Sequence, residues 1–344
     1  MQRKLLKPLG SHTAVGHLHE LKKWKELPYL RDNNGMLPPF IIAVGSRVRV
    51  MKAREILNFD DPVFIDQEAL GRVGINAFGR VSVLVGVSEI GDYPVPLLVI
   101  ETQMGCPATQ IILREAMYYA REDGYVFSGT EVRSDGIYVT RVGTCAGVNS
   151  HASSEPRISI GDILIANETY GSIGSVIQSA IGEINFTGIC VAERVDEMRK
   201  ILLTKKAIRL SDDLHSILTK SMPRSVTNLQ MAARDLGLPV MIGANFSKDS
   251  LYAEIGEEGF VRMRDVYGVL STEMEQQQID VLAAEFREAG VAAYSGLVSA
   301  VIGAIPGKSF PETKAERNAA AQAEENAIKI AAKAFSNIAR ELNG

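Results

Sequence analysis

The sequence predicts an α/β protein built on a parallel or mixed sheet, and three observations carry that reading. Several runs are apolar at nearly every position: Phe40–Val44, Val81–Val87, Pro96–Glu101 and Ile137–Val142. Runs of that kind belong to strands covered on both faces. Stretches with helical spacing lie between them, among them Ala108–Arg121, Ser211–Leu218 and Glu273–Ala289. The alternation continues to the C-terminus with no repeat, low-complexity block or Pro/Ser-rich linker, which predicts a single domain over 38–344 behind an extension over 1–37.

The extension is polar, carries His12, His17 and His19, and ends in Asn33-Asn34-Gly35, so it reads as a segment packing on the body or on a neighbouring subunit. Pro38 and Pro39 lead into the first strand, Gly45 ends it, and Ser46 is placed to cap the helix that follows. Another strand is expected at Asp162–Asn167. Val291–Ile305 is the longest apolar stretch, broken by Gly, Ser and Tyr and closed by Pro306-Gly307. It falls short of the roughly 20 apolar residues that a membrane-spanning helix needs and reads as a buried strand, centred on Val298–Ile302, with its flanks. In Glu312–Leu342, Ile328, Ala331, Phe335, Ile338 and Leu342 form one apolar stripe, the mark of an amphipathic helix laid over the sheet.

Composition excludes several function classes. A net charge of -4 gives no general attraction to nucleic acid or to an anionic membrane, so any anion chemistry must come from a local group of arginines. The three cysteines, Cys106, Cys145 and Cys190, are too few and too scattered for a disulfide framework or a zinc site, and no metal ligand set is evident. A reduced, cytoplasmic setting is expected. The N-terminal residues are basic but lack the continuous apolar core of a signal peptide.

Candidate chemistry centres on Ile137–Val148, IYVTRVGTCAGV, where an apolar strand delivers Arg141 and then a run of very small residues, Gly143, Thr144, Cys145, Ala146 and Gly147. A guanidinium fork, a hydroxyl and bare backbone amides at one strand end make an anion site. Arg49 follows Gly45, Arg80 follows Gly79 and Arg141 precedes Gly143, a shared context that suits convergence on one anion. Later, STEMEQQQ places Glu273 and Glu275 on either side of Met274. Carboxylates two residues apart do not share a helix face, but at a strand end both can approach a ligand, and a carboxylate can accept from the two hydroxyls of a ribose diol. The competing reading is an acidic first helical turn favoured by the helix dipole. Cys145 has no neighbouring base and reads as a wall residue. There is no Walker loop, no GxGxxG after a strand and no HExxH.

In order, IIAVGSRVRV, VIETQMGCPATQI, TRVGTCAGV, ISIGDILIA, GANFSKDSLY and STEMEQ resemble the successive motifs of the nucleoside phosphorylase family, and most of all its uridine phosphorylase branch, over about residues 38–342. The resemblance implies a three-layer α/β/α fold whose central mixed sheet is partly barrel-like and flanked by helices. It implies that Gly45, Arg49, Arg141, Gly143 and Thr144 bind phosphate, with Arg80 supplied across a homodimer interface. By the same resemblance, Glu273, Met274 and Glu275 hold the ribose, Tyr252 and Cys145 border the nucleoside pocket, and His17 reaches the 5′-hydroxyl. Arg141, Glu275 and Arg49 are then the catalytic group.

The implied activity is reversible phosphorolysis of a nucleoside, with inorganic phosphate as co-substrate and no cofactor, and with uridine or a related pyrimidine nucleoside favoured. Departures from the family pattern leave the base open. The phosphate loop reads Gly-Ser-Arg in place of Gly-Asp-Pro, Tyr252 is followed by AEIGEEG without the uracil-binding Gln and Arg, and the late strand VSAVIGAI lacks the Asp of purine enzymes. A nucleosidase of the same fold that uses water, and a nucleoside-binding protein without turnover, stand as alternatives.

Overall fold

The computed structural model describes residues 33, 36–66, 81–122, 124–151, 157–172, 208–211, 216–220, 223–248, 256–308 and 310–344. The expected extension over 1–37 lies almost wholly outside them, and so do His17, Arg80, Cys190 and Tyr252.

The elements run β1 (Phe40–Val44), α1 (Arg47–Ile56), β2 (Asp60–Ile65), β3 (Val83–Ser88), β4 (Val95–Glu101), α2 (Cys106–Tyr119), β5 (Tyr125–Phe127), β6 (Thr130–Val132), β7 (Ile137–Val148), β8 (Ile163–Ser172), β9 (Ile208–Ser211), β10 (Ser216–Lys220), α3 (Pro223–Asp235), β11 (Met241–Ser247), α4 (Gly256–Tyr267), β12 (Val269–Glu273), α5 (Gln276–Glu288), β13 (Ala293–Ile305) and α6 (Lys314–Asn343). Among the described residues, eleven strands join in one mixed sheet, and β5 and β6 form a separate hairpin.

Part of that sheet closes on itself. β7 pairs with β12, β12 with β11, β11 with β8, β8 with β13, and β13 again with β7, so five strands form a ring. An open wing leaves the ring at β7, where β1 and then β4 add in parallel register and β3 and β2 add antiparallel. β10 and β9 extend the other side from β8. This is the mixed, partly barrel-like sheet expected above.

Burial explains the composition of the strands. Every residue of β1 is inaccessible, because β4 and β7 take both its edges while helices cover the sheet. Phe40 meets Tyr138 of β7 at 5.5 Å and Phe335 of α6 at 5.2 Å between ring centroids. α6 spreads over β13, β7, β1 and β4 and touches α1 and α3, whereas α5 packs on α2 and the ring strands. Thr313 and Glu316 close the start of α6 with a reciprocal capping box, so Glu312 falls just outside it. Along its stripe Ile328, Ala331, Phe335 and Ile338 are buried, but Leu342 in the last turn is 36 % exposed and does not belong to the core. No described helix is long and apolar enough to cross a membrane.

Two expectations change. Ser211–Leu218 is not a helix: its ends are β9 and β10, because β10 completes the open edge of β8 and the ladder hydrogen bonds outweigh local helical spacing. The strand carrying Arg141 does not stop at Val142. It continues through Val148, because β13 pairs with it in parallel along its whole length and β12 crosses it at Ala146 and Gly147.

Candidate active site

The seam between wing and ring gathers the arginines. β1 delivers Gly45 at its end, and α1 starts two residues later with Arg49 in its first turn. Ser46 takes the extended N-cap conformation without a side-chain capping bond. Next to β1, β7 carries Arg141 level with Ala43. Glycine leaves room for the two guanidinium groups over the backbone here. A Cβ on Gly45 would stand 2.9 Å from Nη1 of Arg49 and 3.2 Å from Nη2 of Arg141, and one on Gly143 would stand 3.2 Å from Cζ of Arg141.

Each guanidinium has fixed partners. Arg141, 4 % exposed, donates from Nη1 to the carbonyls of Ala43 at 3.3 Å and Val142 at 3.1 Å, and from Nη2 to Oε2 of Glu275 at 2.9 Å. Its Nε is buried with no acceptor among the described residues. Arg49 donates from Nη2 to the Thr144 hydroxyl at 3.1 Å and from Nε to Glu324 of α6.

The carboxylates occupy the end of β12. Glu273 is the last residue of that strand and Glu275 is the N-cap of α5, so the pair lies before the helix and is not an acidic first turn. One oxygen of Glu273 accepts from the amides of Glu275 at 2.7 Å and Gln276 at 2.9 Å, satisfying donors that the helix start leaves open. The other accepts from Nδ2 of Asn245 at 2.8 Å, and Asn245 in turn accepts from the Ser271 hydroxyl at 2.9 Å. Glu275 accepts from the Gly105 amide at 2.8 Å on one oxygen and from Arg141 on the other. Gly105 aims that amide with φ of +90°, a conformation that glycine adopts freely, and it is also the N-cap of α2. A carboxylate offers about four acceptor positions. With Gly105, Arg141 and Glu273 as its partners, Glu275 keeps acceptor capacity for a sugar hydroxyl.

The two carboxyls titrate apart. Burial, reinforced by the Glu275 charge, pushes Glu273 up to about 7. For Glu275 burial acts in the same upward direction, but the Arg141 charge and the Gly105 amide outweigh it and hold its carboxyl below the usual range. Two acids side by side are thus shifted in opposite directions.

Of the residues expected from sequence, Gly45, Arg49, Arg141, Gly143, Thr144, Glu273 and Glu275 are drawn into this one network. Met274 lies half-buried between the two acids, its carbonyl accepting from Sγ of Cys106 at 3.2 Å. Cys145 packs with Ile158, Leu164 and Val301, its thiol pushed up by burial and directed at the Ala300 carbonyl. Arg80, His17 and Tyr252 lie outside the described residues. Gly105, Asn245, Ser271 and Glu324 were not anticipated. Gly105 was within reach, since it sits inside the quoted VIETQMGCPATQI segment.

No protein-family model and no curated protein sequence matches this chain. Solved structures do. A uridine phosphorylase from Vibrio fischeri ES114, complexed with 6-hydroxy-1-naphthoic acid, aligns at a TM-score of 0.57 and 14 % identity over 88 % of this chain and 92 % of that one. A purine nucleoside phosphorylase from Toxoplasma gondii in complex with immucillin-H aligns at a TM-score of 0.54 and 18 % identity, over 89 % and 93 %. The fold is that of the nucleoside phosphorylases. Because one of these proteins is a uridine enzyme and the other a purine enzyme, the nucleoside phosphorylase fold by itself does not select a base.

Proposed function

We propose that this chain is a nucleoside phosphorylase that cleaves a nucleoside, with a pyrimidine nucleoside such as uridine favoured, to free base and ribose 1-phosphate. The observation that carries the reading is the convergence of Arg49 and Arg141 over Gly45, with Arg141 bonded to Glu275. An anion bound there sits beside a carboxylate with acceptor capacity to spare for a sugar.

In this reading, Gly45, Arg49, Arg141, Gly143 and Thr144 hold inorganic phosphate, and the Nε of Arg141, which has no acceptor among the described residues, is one donor for a phosphate oxygen. Arg80 completes the set from a second subunit of a homodimer. Glu275 and Met274 hold the ribose, and Glu273 supports them by fixing the backbone of Glu275. His17 and Tyr252 take the 5′-hydroxyl and the pocket border. A phosphate oxygen attacks the anomeric carbon as the N-glycosidic bond breaks, and the bonding pair leaves with the base, which then takes up a proton. Positive charge growing on the sugar is balanced by the phosphate, and holding both reactants in line contributes about 7–11 kcal/mol in favourable cases. No cofactor is required, and a cytoplasmic setting fits the reduced thiols expected from the cysteine content.

A second reading, hydrolysis by water, is favoured by one observation: each arginine already has a carboxylate partner, Glu324 for Arg49 and Glu275 for Arg141. Base release from a panel of nucleosides with and without inorganic phosphate separates the two. Phosphorolysis requires phosphate and yields ribose 1-phosphate, hydrolysis proceeds without it, and a binding protein releases no base.

A further inference from the structure

Glu324 stands on α6, 275 residues along the chain from the arginine it binds, and no motif connects the two. Arg49 and Lys52 lie three residues apart on α1 and therefore share the face turned to α6. One oxygen of Glu324 accepts from Nε of Arg49, and the other lies 3.4 Å from Nζ of Lys52, which also reaches the Ala321 carbonyl at 3.1 Å and Glu325 at 3.5 Å. The three side chains are only 16–23 % exposed.

Two consequences follow from this arrangement. With Nε engaged, the planar fork of Arg49 has a fixed orientation, and its Nη1 and Nη2 are left to face Gly45 and Thr144. Lys52 on its far oxygen shares the charge of Glu324, though Lys52 is also paired with Glu325, so Arg49 is not the sole cation on that carboxylate and keeps attraction for an anion.

We infer that Glu324 is the positioning residue of the phosphate site, acting through the Nε of Arg49, with Lys52 as its counter-charge. This inference rests on the phosphate reading of the site. It assigns α6, which otherwise covers the sheet, a part in ligand binding.

Equilibrium binding of inorganic phosphate to the full-length protein tests it without any knowledge of the base. Glu324→Asp keeps the charge but is one methylene too short to hold Nε, so phosphate binding weakens about tenfold, and Glu324→Ala weakens it at least as much. Glu324→Gln still presents a carbonyl oxygen to Nε and stays within about threefold of wild type. Ribose 1-phosphate serves as a second probe: the weakening appears for it too, whereas thermal unfolding of the Asp and Gln variants stays close to wild type. If wild type binds phosphate and all variants bind it equally, the role of Glu324 is overturned while the phosphate reading stands. Tighter binding by the Asp, Gln and Ala variants alike also overturns it, since Glu324 would then be a competitor for the anion. If wild type binds no phosphate, both readings fall. Should Glu324→Ala not fold, the Asp and Gln pair decides.

Discussion

Arg49, on α1 beside the open wing and 23 % exposed, is held in place by side chains from β7 and α6, whereas Glu273 and Glu275 are buried at the end of a ring strand and bound by amides and by Arg141. The difference lies in how each half is assembled. The carboxylate half comes from a short stretch of chain, Glu273 to Gln276, braced by Asn245 and Gly105. Pairing of β12 with β11 brings Asn245 to Glu273, while Gly105 and Arg141 reach Glu275 from the β4–α2 turn and from β7. The arginine half needs β1, β7 and α6 together and keeps contact with solvent. Arg141 joins them, since it lies on the strand common to wing and ring and bonds to both the Ala43 carbonyl and Glu275.

The sharpest way to break this contrast is to remove the joint. Arg141→Ala leaves the buried Glu275 carboxylate without its cation, and breaking such a pair costs about 3–5 kcal/mol. Denaturant unfolding should show a loss of that size, and both phosphate and ribose binding should fail. A loss confined to phosphate would mean that the two halves are independent.

A second test concerns the sealed half alone. The carboxyl of Glu273 is raised to about 7 in the folded protein, against about 4.3 in an unfolded chain. The folded state therefore holds more protons between those values. The stability contributed by Glu273 is fully present below the unfolded pKa and is lost as pH rises through 7, on the order of a few kcal/mol in total. Glu275, depressed by Arg141, acts with the opposite sign and loses its contribution as pH falls. Unfolding free energies measured from pH 5 to pH 8 should fall less steeply, or rise, for Glu273→Gln relative to wild type. Parallel profiles for the two proteins would remove the raised Glu273 from the account. The readout is the slope, because the amide also alters the bonds to the Glu275 and Gln276 backbone N–H groups at every pH.

The smallest effect belongs to the adjustable half. Gly45→Ala places a methyl 2.9 Å from Nη1 of Arg49 and 3.2 Å from Nη2 of Arg141, both movable ends of side chains. The protein should fold with stability within about 1 kcal/mol of wild type but bind phosphate about tenfold more weakly, a factor worth about 1.4 kcal/mol. Unchanged phosphate affinity would show that the anion does not lie over Gly45.

How much of this was legible in the sequence follows the same division. The strands β1, β3 and β4 announce themselves by continuous apolar runs, because a doubly covered strand can hold little else, and β7, β8 and β13 by longer runs that are apolar only in part. β2, the β5–β6 hairpin, β11, β12 and the strands read as a helix at Ser211–Leu218 were missed, because they take their form from pairing partners and not from a local apolar run. In the site, Arg49, Arg141 and Glu275 were visible because each stands beside a glycine or a strand end. Asn245 and Glu324 were not, since they reach Glu273 and Arg49 only through the closed ring and the returning helix. The small residues after Arg141 illustrate mixed causes: Gly143 admits the guanidinium, but Gly147 is needed for packing, where a Cβ would come within 2.3 Å of Ile158.

The most direct test is a crystal structure of the full chain with ribose 1-phosphate, a single ligand that must span both halves. The account predicts its phosphate over Gly45, within hydrogen-bonding distance of Arg49, Arg141 and Thr144, and its ring hydroxyls on Glu275. A phosphate bound away from both arginines, or a sugar that leaves Glu275 untouched, would contradict it.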